Sequence, residues 1–261
     1  MRIEVLGARG SMPVTDPAMR LFGGDTSCYR VEAAGQTVLL DAGSGLDRWT
    51  EPPAGPDSAP VTVLLSHPHA DHLIGLPMWR GLFLPGLKLR IYGAARQGRS
   101  VRQQLEQLIA PPLWPVRLED YPADIRCLEL PPVLKAGGLT VTHMEGCHPG
   151  GCTVFRLEAE GKAVVYATDF EHEPEKEKEL TAFARGADLL LYDGMYTAEE
   201  YAARKGYGQS TAEAGLRILR NAGVRSLLLI HHGFIRTDKM LLEDEKSRGV
   251  RYARQGEVLT L

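Results

Sequence analysis

The segment Ser66-His67-Pro68-His69-Ala70-Asp71-His72 places three histidines and an aspartate within six residues, directly after the apolar run Val61 to Leu65. Three histidines and an aspartate in that space cannot be satisfied as a normal strand continuation. A loop presenting them to one point is the geometry the pattern requires. Imidazole nitrogens and carboxylate oxygens suit zinc, manganese or iron, and two histidines at i, i+2 both reach one ion from an extended turn. With only 8 His in 261 residues, such local density argues against a surface loop that merely contains histidine.

Apolar or alternating runs bounded by Gly and Pro predict strands of one sheet at Arg2 to Leu6, Cys28 to Ala33, Thr37 to Leu40 and Val61 to Leu65. Leu87 to Tyr92 predicts another strand. Val101, Leu105, Leu108 and Ile109 have helical spacing over Arg99 to Ile109, stopped by Pro111 and Pro112. A second series of strands is expected at Ile125 to Leu130, Leu139 to Met144, Thr153 to Ala159, Ala163 to Thr168, Leu189 to Asp193 and Ser226 to Ile230, with helices at Glu173 to Arg185 and Thr211 to Ala222. Thr50 to Pro60 carries four Pro and reads as a surface loop or a badly formed helix. Pro77 to Pro85 is apolar and aromatic, and reads as core, pocket wall or the face of a homodimer. The pattern fits one α/β domain over residues 1–261, two packed sheets with helices on the outer faces. His67, Asp169, Asp193 and His231 each follow an apolar strand, which gathers them at one edge of the sandwich, where sites in α/β folds form.

The formal net charge is -3 and no run of five or six like charges occurs, so no electrostatic footprint for a long polyanion is visible. A small-molecule substrate is expected, not nucleic acid. Cys28, Cys127, Cys147 and Cys152 have no C-x-x-C spacing, so neither a disulfide framework nor a four-sulfur zinc site is suggested, and buried free thiols are expected. Residues 1–7 run straight into a strand pattern and no apolar stretch approaches the ~18 residues a bilayer span needs, so a cytoplasmic protein with no membrane association is expected.

The H-x-H-x-D-H motif behind a strand resembles the metallo-β-lactamase superfamily, and the likeness extends over nearly the whole chain. Leu6-Gly7-Ala8-Arg9-Gly10-Ser11, Gly23 to Cys28 and Leu39-Leu40-Asp41-Ala42-Gly43 look like the opening segments of its phosphodiesterase and ribonuclease Z branch. His148-Pro149-Gly150-Gly151, Tyr166-Ala167-Thr168-Asp169 and Leu229-Ile230-His231-His232 match the remaining ligand segments in order. The resemblance implies a four-layer αββα sandwich and two divalent ions, zinc with manganese or iron as alternatives. It implies that His67, His69 and His148 hold one ion, that Asp71, His72 and His231 hold the other, and that Asp169 bridges them. Asp71 is also a candidate catalytic residue. Asp41 either caps its turn or supports the histidine loop from behind. Of His231 and His232, only one can face the metals, and the matched position is His231. His143 and His172 read as ordinary hydrogen-bonded or solvated histidines.

One departure matters for chemistry. Where the resembled branch carries Gly-His-Ser-Thr, with a histidine thought to protonate the leaving group, this chain reads Gly208-Gln209-Ser210-Thr211. Glutamine has no titratable proton near neutral pH, so it can hydrogen-bond a substrate oxygen but cannot act as a general acid. Gln209, Ser210 and His232 are the candidate substrate-binding residues. The interval between His148 and Asp169 has no room for the tRNA-gripping insertion of bacterial ribonuclease Z, which weighs against tRNA processing. The favoured expectation is a dinuclear hydrolase of a small phosphodiester or cyclic nucleotide-like substrate. The alternatives are an acyl hydrolase of lactones, thioesters or amides, an iron enzyme that is not a hydrolase, and a metal-binding sensor without turnover.

Overall fold

The computed structural model describes residues 1–261. Its strands are β1 (Arg2–Gly7), β2 (Cys28–Ala33), β3 (Gln36–Leu40), β4 (Val61–Leu64), β5 (Lys88–Gly93), β6 (Asp124–Glu129), β7 (Val133–Ala136), β8 (Leu139–Glu145), β9 (Thr153–Ala159), β10 (Lys162–Ala167), β11 (Leu189–Asp193), β12 (Ser226–Ile230) and β13 (Val258–Thr260). The helices are α1 (Val101–Leu105), α2 (Pro174–Phe183), α3 (Ala198–Ala202), α4 (Ala212–Ala222) and α5 (Asp238–Arg248). One sheet runs β13-β1-β2-β3-β4-β5-β6 and the other β12-β11-β10-β9-β8-β7. Both are mixed: β3 to β6 and β10 to β12 pair in parallel, and the other pairs are antiparallel.

Alternation along the strands separates three apolar layers. Val164, Tyr166, Leu191, Leu228 and Ile230 face Val5, Tyr29, Val31, Val38 and Leu64 between the sheets. Val165, Ala167, Leu190, Tyr192 and Leu229 point outward under α2, α4 and α5, where they meet Leu180, Ile218 and Leu241. On the outside of the first sheet, Leu39, Val63, Leu89 and Ile91 are covered by α1 and the Trp49 and Trp79 segments. Strands buried on both faces read as continuous apolar runs, which is why β10, β11 and β12 lack a polar side. The chain is thus a four-layer α/β sandwich.

Several expectations are corrected. The segment Ile125 to Leu130 forms β6 beside β5 in the first sheet, although it lies in the second series along the sequence. The helix expected over Arg99 to Ile109 holds only across α1. Beyond it Gln107 N–H bonds Gln104 O and Leu108 N–H bonds Leu105 O, tight turns that seat Leu105 and Ile109 in the core ahead of Pro111. β7, β13, α3 and α5 were not foreseen: the two strands are short edges, and α5 buries only Leu241. Thr50 to Pro60 is neither helix nor strand. All four cysteines are free, but only Cys28 and Cys152 are fully buried. In the Pro77 to Pro85 segment Trp79 and Leu82 are core, whereas Met78 and Phe83 are exposed. No helix is long and apolar enough to cross a membrane.

Phe155 is fully buried between the sheets. Phe155→Ala is expected to cost about 3–5 kcal/mol, read as a lower urea midpoint with an unchanged slope.

Candidate metal centre

The centre lies at the edge of the sandwich where β3, β4, β10, β11 and β12 end. Three of the residues that leave these strands have left-handed backbones: Asp41 (φ 59°), Asp169 (φ 48°) and His231 (φ 56°). Such a conformation costs a non-glycine residue about 1–3 kcal/mol, and persists where surrounding bonds over-determine it. Here it turns each side chain away from the strand direction and toward a common point.

Asp41 is the anchor. Its Oδ1 accepts Ser66 N–H (2.7 Å), and its Oδ2 accepts Ser66 Oγ–H, Tyr166 O–H and His72 Nδ1–H (each 2.7 Å). With Nδ1 committed as donor, His72 Nε2 is turned toward Asp169 Oδ1 (3.1 Å) and Asp71 Oδ2 (3.3 Å). Because Ser66 gives its hydroxyl proton to Asp41, His67 Nδ1, 3.0 Å away, donates to Ser66 Oγ. Its Nε2 then points at His69 Nδ1 (2.9 Å). His148 follows the same rule: Nδ1 donates to Gly208 O (2.9 Å) and Nε2 faces His69 Nδ1 (3.0 Å). Gly208 has φ 81°, and a Cβ there would lie 2.0 Å from His148 Nδ1, so only glycine fits.

All seven expected ligands therefore converge, in two groups. His67, His69 and His148 form one, with Asp169 Oδ2 3.7 Å from both His67 Nε2 and His148 Nε2. Asp71, His72 and His231 form the other, with Asp71 Oδ2 and Asp169 Oδ1 each 3.2 Å from His231 Nε2. Ser11 N–H fixes Asp71 Oδ2 (2.8 Å).

Divalent cations fit this donor set. In the first group, two nitrogen lone pairs point at His69 Nδ1, which carries at most one proton and can satisfy only one of them. In the second, His72 Nε2 is buried with no hydrogen-bond partner, although buried polar atoms are nearly always paired. A cation in each group supplies the missing partner, and histidines whose other nitrogen donates to a carboxylate or carbonyl are oriented as metal ligands are.

Charges divide the groups. Burial, reinforced by neighbouring imidazoles, holds His67 well below its ordinary value, and burial lowers His69 and His148. Burial opposes protonation of His72 and His231 too, but Asp169, Asp71 and further carboxylates prevail and raise both. Against the same burial, the facing imidazoles keep Asp71 and Asp169 far below the usual carboxylate range. Asp193, buried and 3.6 Å from His231 Nδ1, is pushed up to about 7.

Other candidates sit elsewhere. His232 points to the opposite side of the chain from His231, fully buried against Phe22 and Tyr252, and burial together with Arg9 holds it well below its ordinary value. It has no face toward a substrate. Ser210 is also fully buried, its Oγ between Tyr192 O–H (2.6 Å) and His172 Nδ1 (2.7 Å), so it too is a framework residue. Gln209 lines a cavity over the centre of about 360 Å³, with Ser11, His69, His148, Tyr196 and Tyr207. His143 bonds Pro131 O. Tyr166 carries no signal of this role in the sequence, where it looks like one more apolar residue of β10. Asp193 was visible as a strand-end carboxylate but had no assigned role.

A two-sheet α/β sandwich with a histidine and aspartate centre at one edge defines a metal-dependent hydrolase architecture. The family model described as β-lactamase superfamily domain matches residues 36–232, and the chain belongs to that superfamily as a hydrolase of the metallo-β-lactamase fold. It is 28% identical over 178 residues to Ribonuclease TTHA0252 of Thermus thermophilus, a match covering 65% of this chain and 41% of that protein, so the chain spans less than half of that relative's length. It is 25% identical over 269 residues to a Ribonuclease Z of a Bradyrhizobium species, covering 83% of this chain and 87% of that one. Among solved structures, the metallo-β-lactamase fold protein YhfI of Bacillus subtilis superimposes with a TM-score of 0.71 at 22% identity over 99% of each chain, which shows the fold.

Two outcomes test the centre. His72 and His231 are raised in the metal-free protein, yet each must be neutral to bind an ion, so metal binding expels their protons and strengthens as pH rises through those raised values. Calorimetric zinc titrations in buffers of different ionisation enthalpy are expected to show that proton release. By elemental analysis, His231→Ala should lose metal from the second group, and His232→Ala should retain it.

Proposed function

We propose that this chain is a dinuclear phosphodiesterase, with zinc as its metal, acting on a small phosphodiester of cyclic nucleotide-like size. The observation that carries the reading is the pair of ligand groups sharing Asp169, one oxygen toward each. Divalent ions held there by these residues would supply a water of lowered pKa and charge stabilisation for the attacked centre and the leaving oxygen. The chain's own residues hold the rest in place: Ser11 N–H fixes Asp71, an ionised carboxylate at the rim of the centre able to orient a water proton. The cavity above, walled by Tyr196 and Tyr207, offers aromatic faces beside the centre. Its volume and the net charge of -3 suit a small molecule better than a polynucleotide. The ribonuclease names of the matched relatives support phosphodiester chemistry as the class.

An acyl substrate is the second reading, favoured by Gln209, which has no proton to give a leaving group. Lactones and thioesters need less such help.

Metal-reconstituted protein is expected to release p-nitrophenol from bis(p-nitrophenyl) phosphate and to lose that activity on chelation. Turnover of lactone or thioester probes without turnover of the phosphodiester would replace the first reading by the second.

A further inference from the structure

Gln209 belongs to a loop that touches nearly every part of the centre. Gly206 N–H and Gly208 N–H donate to Glu171 Oε1 (2.7 Å) and Oε2 (2.9 Å), which seats the loop beside Asp169. From that seat Gly208 O accepts from His148, Ser210 N–H donates to Asp193 Oδ1 (3.1 Å), and Gln209 Nε2–H donates to Asp169 Oδ2 (2.8 Å). An ionised carboxylate only accepts, so the nitrogen end of the amide faces Asp169. The other end, Oε1, is buried with no partner. An unpaired buried carbonyl is destabilising, and an apolar side chain of equal length would avoid that cost. What glutamine contributes at this position is therefore its donor.

Asp169 has a use for that donor. It alone faces both ligand groups, and Thr168 Oγ1–H holds its Oδ1 (2.7 Å). One donor on each oxygen fixes the plane of the carboxylate. With only one, rotation about Cβ–Cγ would carry Oδ2 away from His67 and His148. Gln209 is only 6% exposed, so little of it can meet a substrate.

We propose that Gln209 is a positioning residue for Asp169, holding the shared carboxylate so that one oxygen serves each ligand group. Only the kinetic arm of the test rests on the phosphodiesterase reading. Metal-free wild type, Gln209→Met and Gln209→Asn are titrated with zinc against a chromophoric chelator, with circular dichroism to show that each is folded. Methionine keeps the length without the donor, and asparagine keeps the amide but is too short to reach Oδ2. Both variants are expected to bind zinc about 10–100-fold more weakly, the usual effect of removing a group that orients a ligand. At saturating zinc, kcat for bis(p-nitrophenyl) phosphate falls while KM changes little. Unchanged zinc affinity in a folded variant overturns the proposal, and unchanged affinity with a raised KM would make Gln209 a substrate contact instead. If no form hydrolyses the phosphodiester but affinity falls in the variants, the positioning role stands and the phosphodiesterase reading fails.

Discussion

The Asp41 carboxylate ties this molecule together. It is fully buried, and an isolated buried carboxylate would cost several kcal/mol, so it survives only because four donors converge on it. Those donors come from both sheets: Ser66 and His72 from the loop behind β4, and Tyr166 from β10 across the interface. One group therefore closes the sandwich at this edge, fixes the tautomer of His72 and, through Ser66, that of His67. Fold and centre share a single hydrogen-bond hub.

Around the hub, the fold keeps polar groups in a place where burial penalises them. His67, His72, His231, Asp71 and Asp169 are all buried, and the carboxylates raise His72 and His231 while the imidazoles hold Asp71 and Asp169 down. Left-handed backbones at Asp41, Asp169 and His231 add strain to that burden. The apolar layers on both faces of each sheet supply the stability that tolerates it, an arrangement common where structure is organised around chemistry.

Much of this was legible in the sequence for physical reasons. Strands buried on both faces appear as unbroken apolar runs, and polar residues at their ends stand out, so His67, Asp169, Asp193 and His231 could be placed at one edge. Short edge strands such as β7 and β13 carry too little pattern to detect, and α5 lacks an apolar stripe. The sheet to which β6 belongs could not be read from chain order, because parallel pairing with β5 depends on how α1 packs back over the sheet. Tyr166 and Ser210 were illegible as framework donors, since hydroxyl direction is a property of the folded chain. His232 is expected at the substrate, but strand geometry sends it the other way, into the packing against Phe22 and Tyr252.

The pair His231 and His232 bears on how β12 finds its alignment. Leu227-Leu228-Leu229-Ile230 is apolar at every position, so sliding β12 by one residue along β11 would exchange one set of aliphatic side chains for an almost equivalent one. Hydrophobic alternation, which normally specifies register, is silent here. The discriminating information lies in the two histidines: one must meet Asp71 and Asp169, the other must enter an aromatic niche between Phe22 and Tyr252. A slip would drive a neutral, enclosed imidazole into the acidic cluster and leave the cluster's own imidazole among aromatic rings. The ligand chemistry is thus an alignment mark for the strand that delivers it, and the site instructs the fold as much as the fold presents the site.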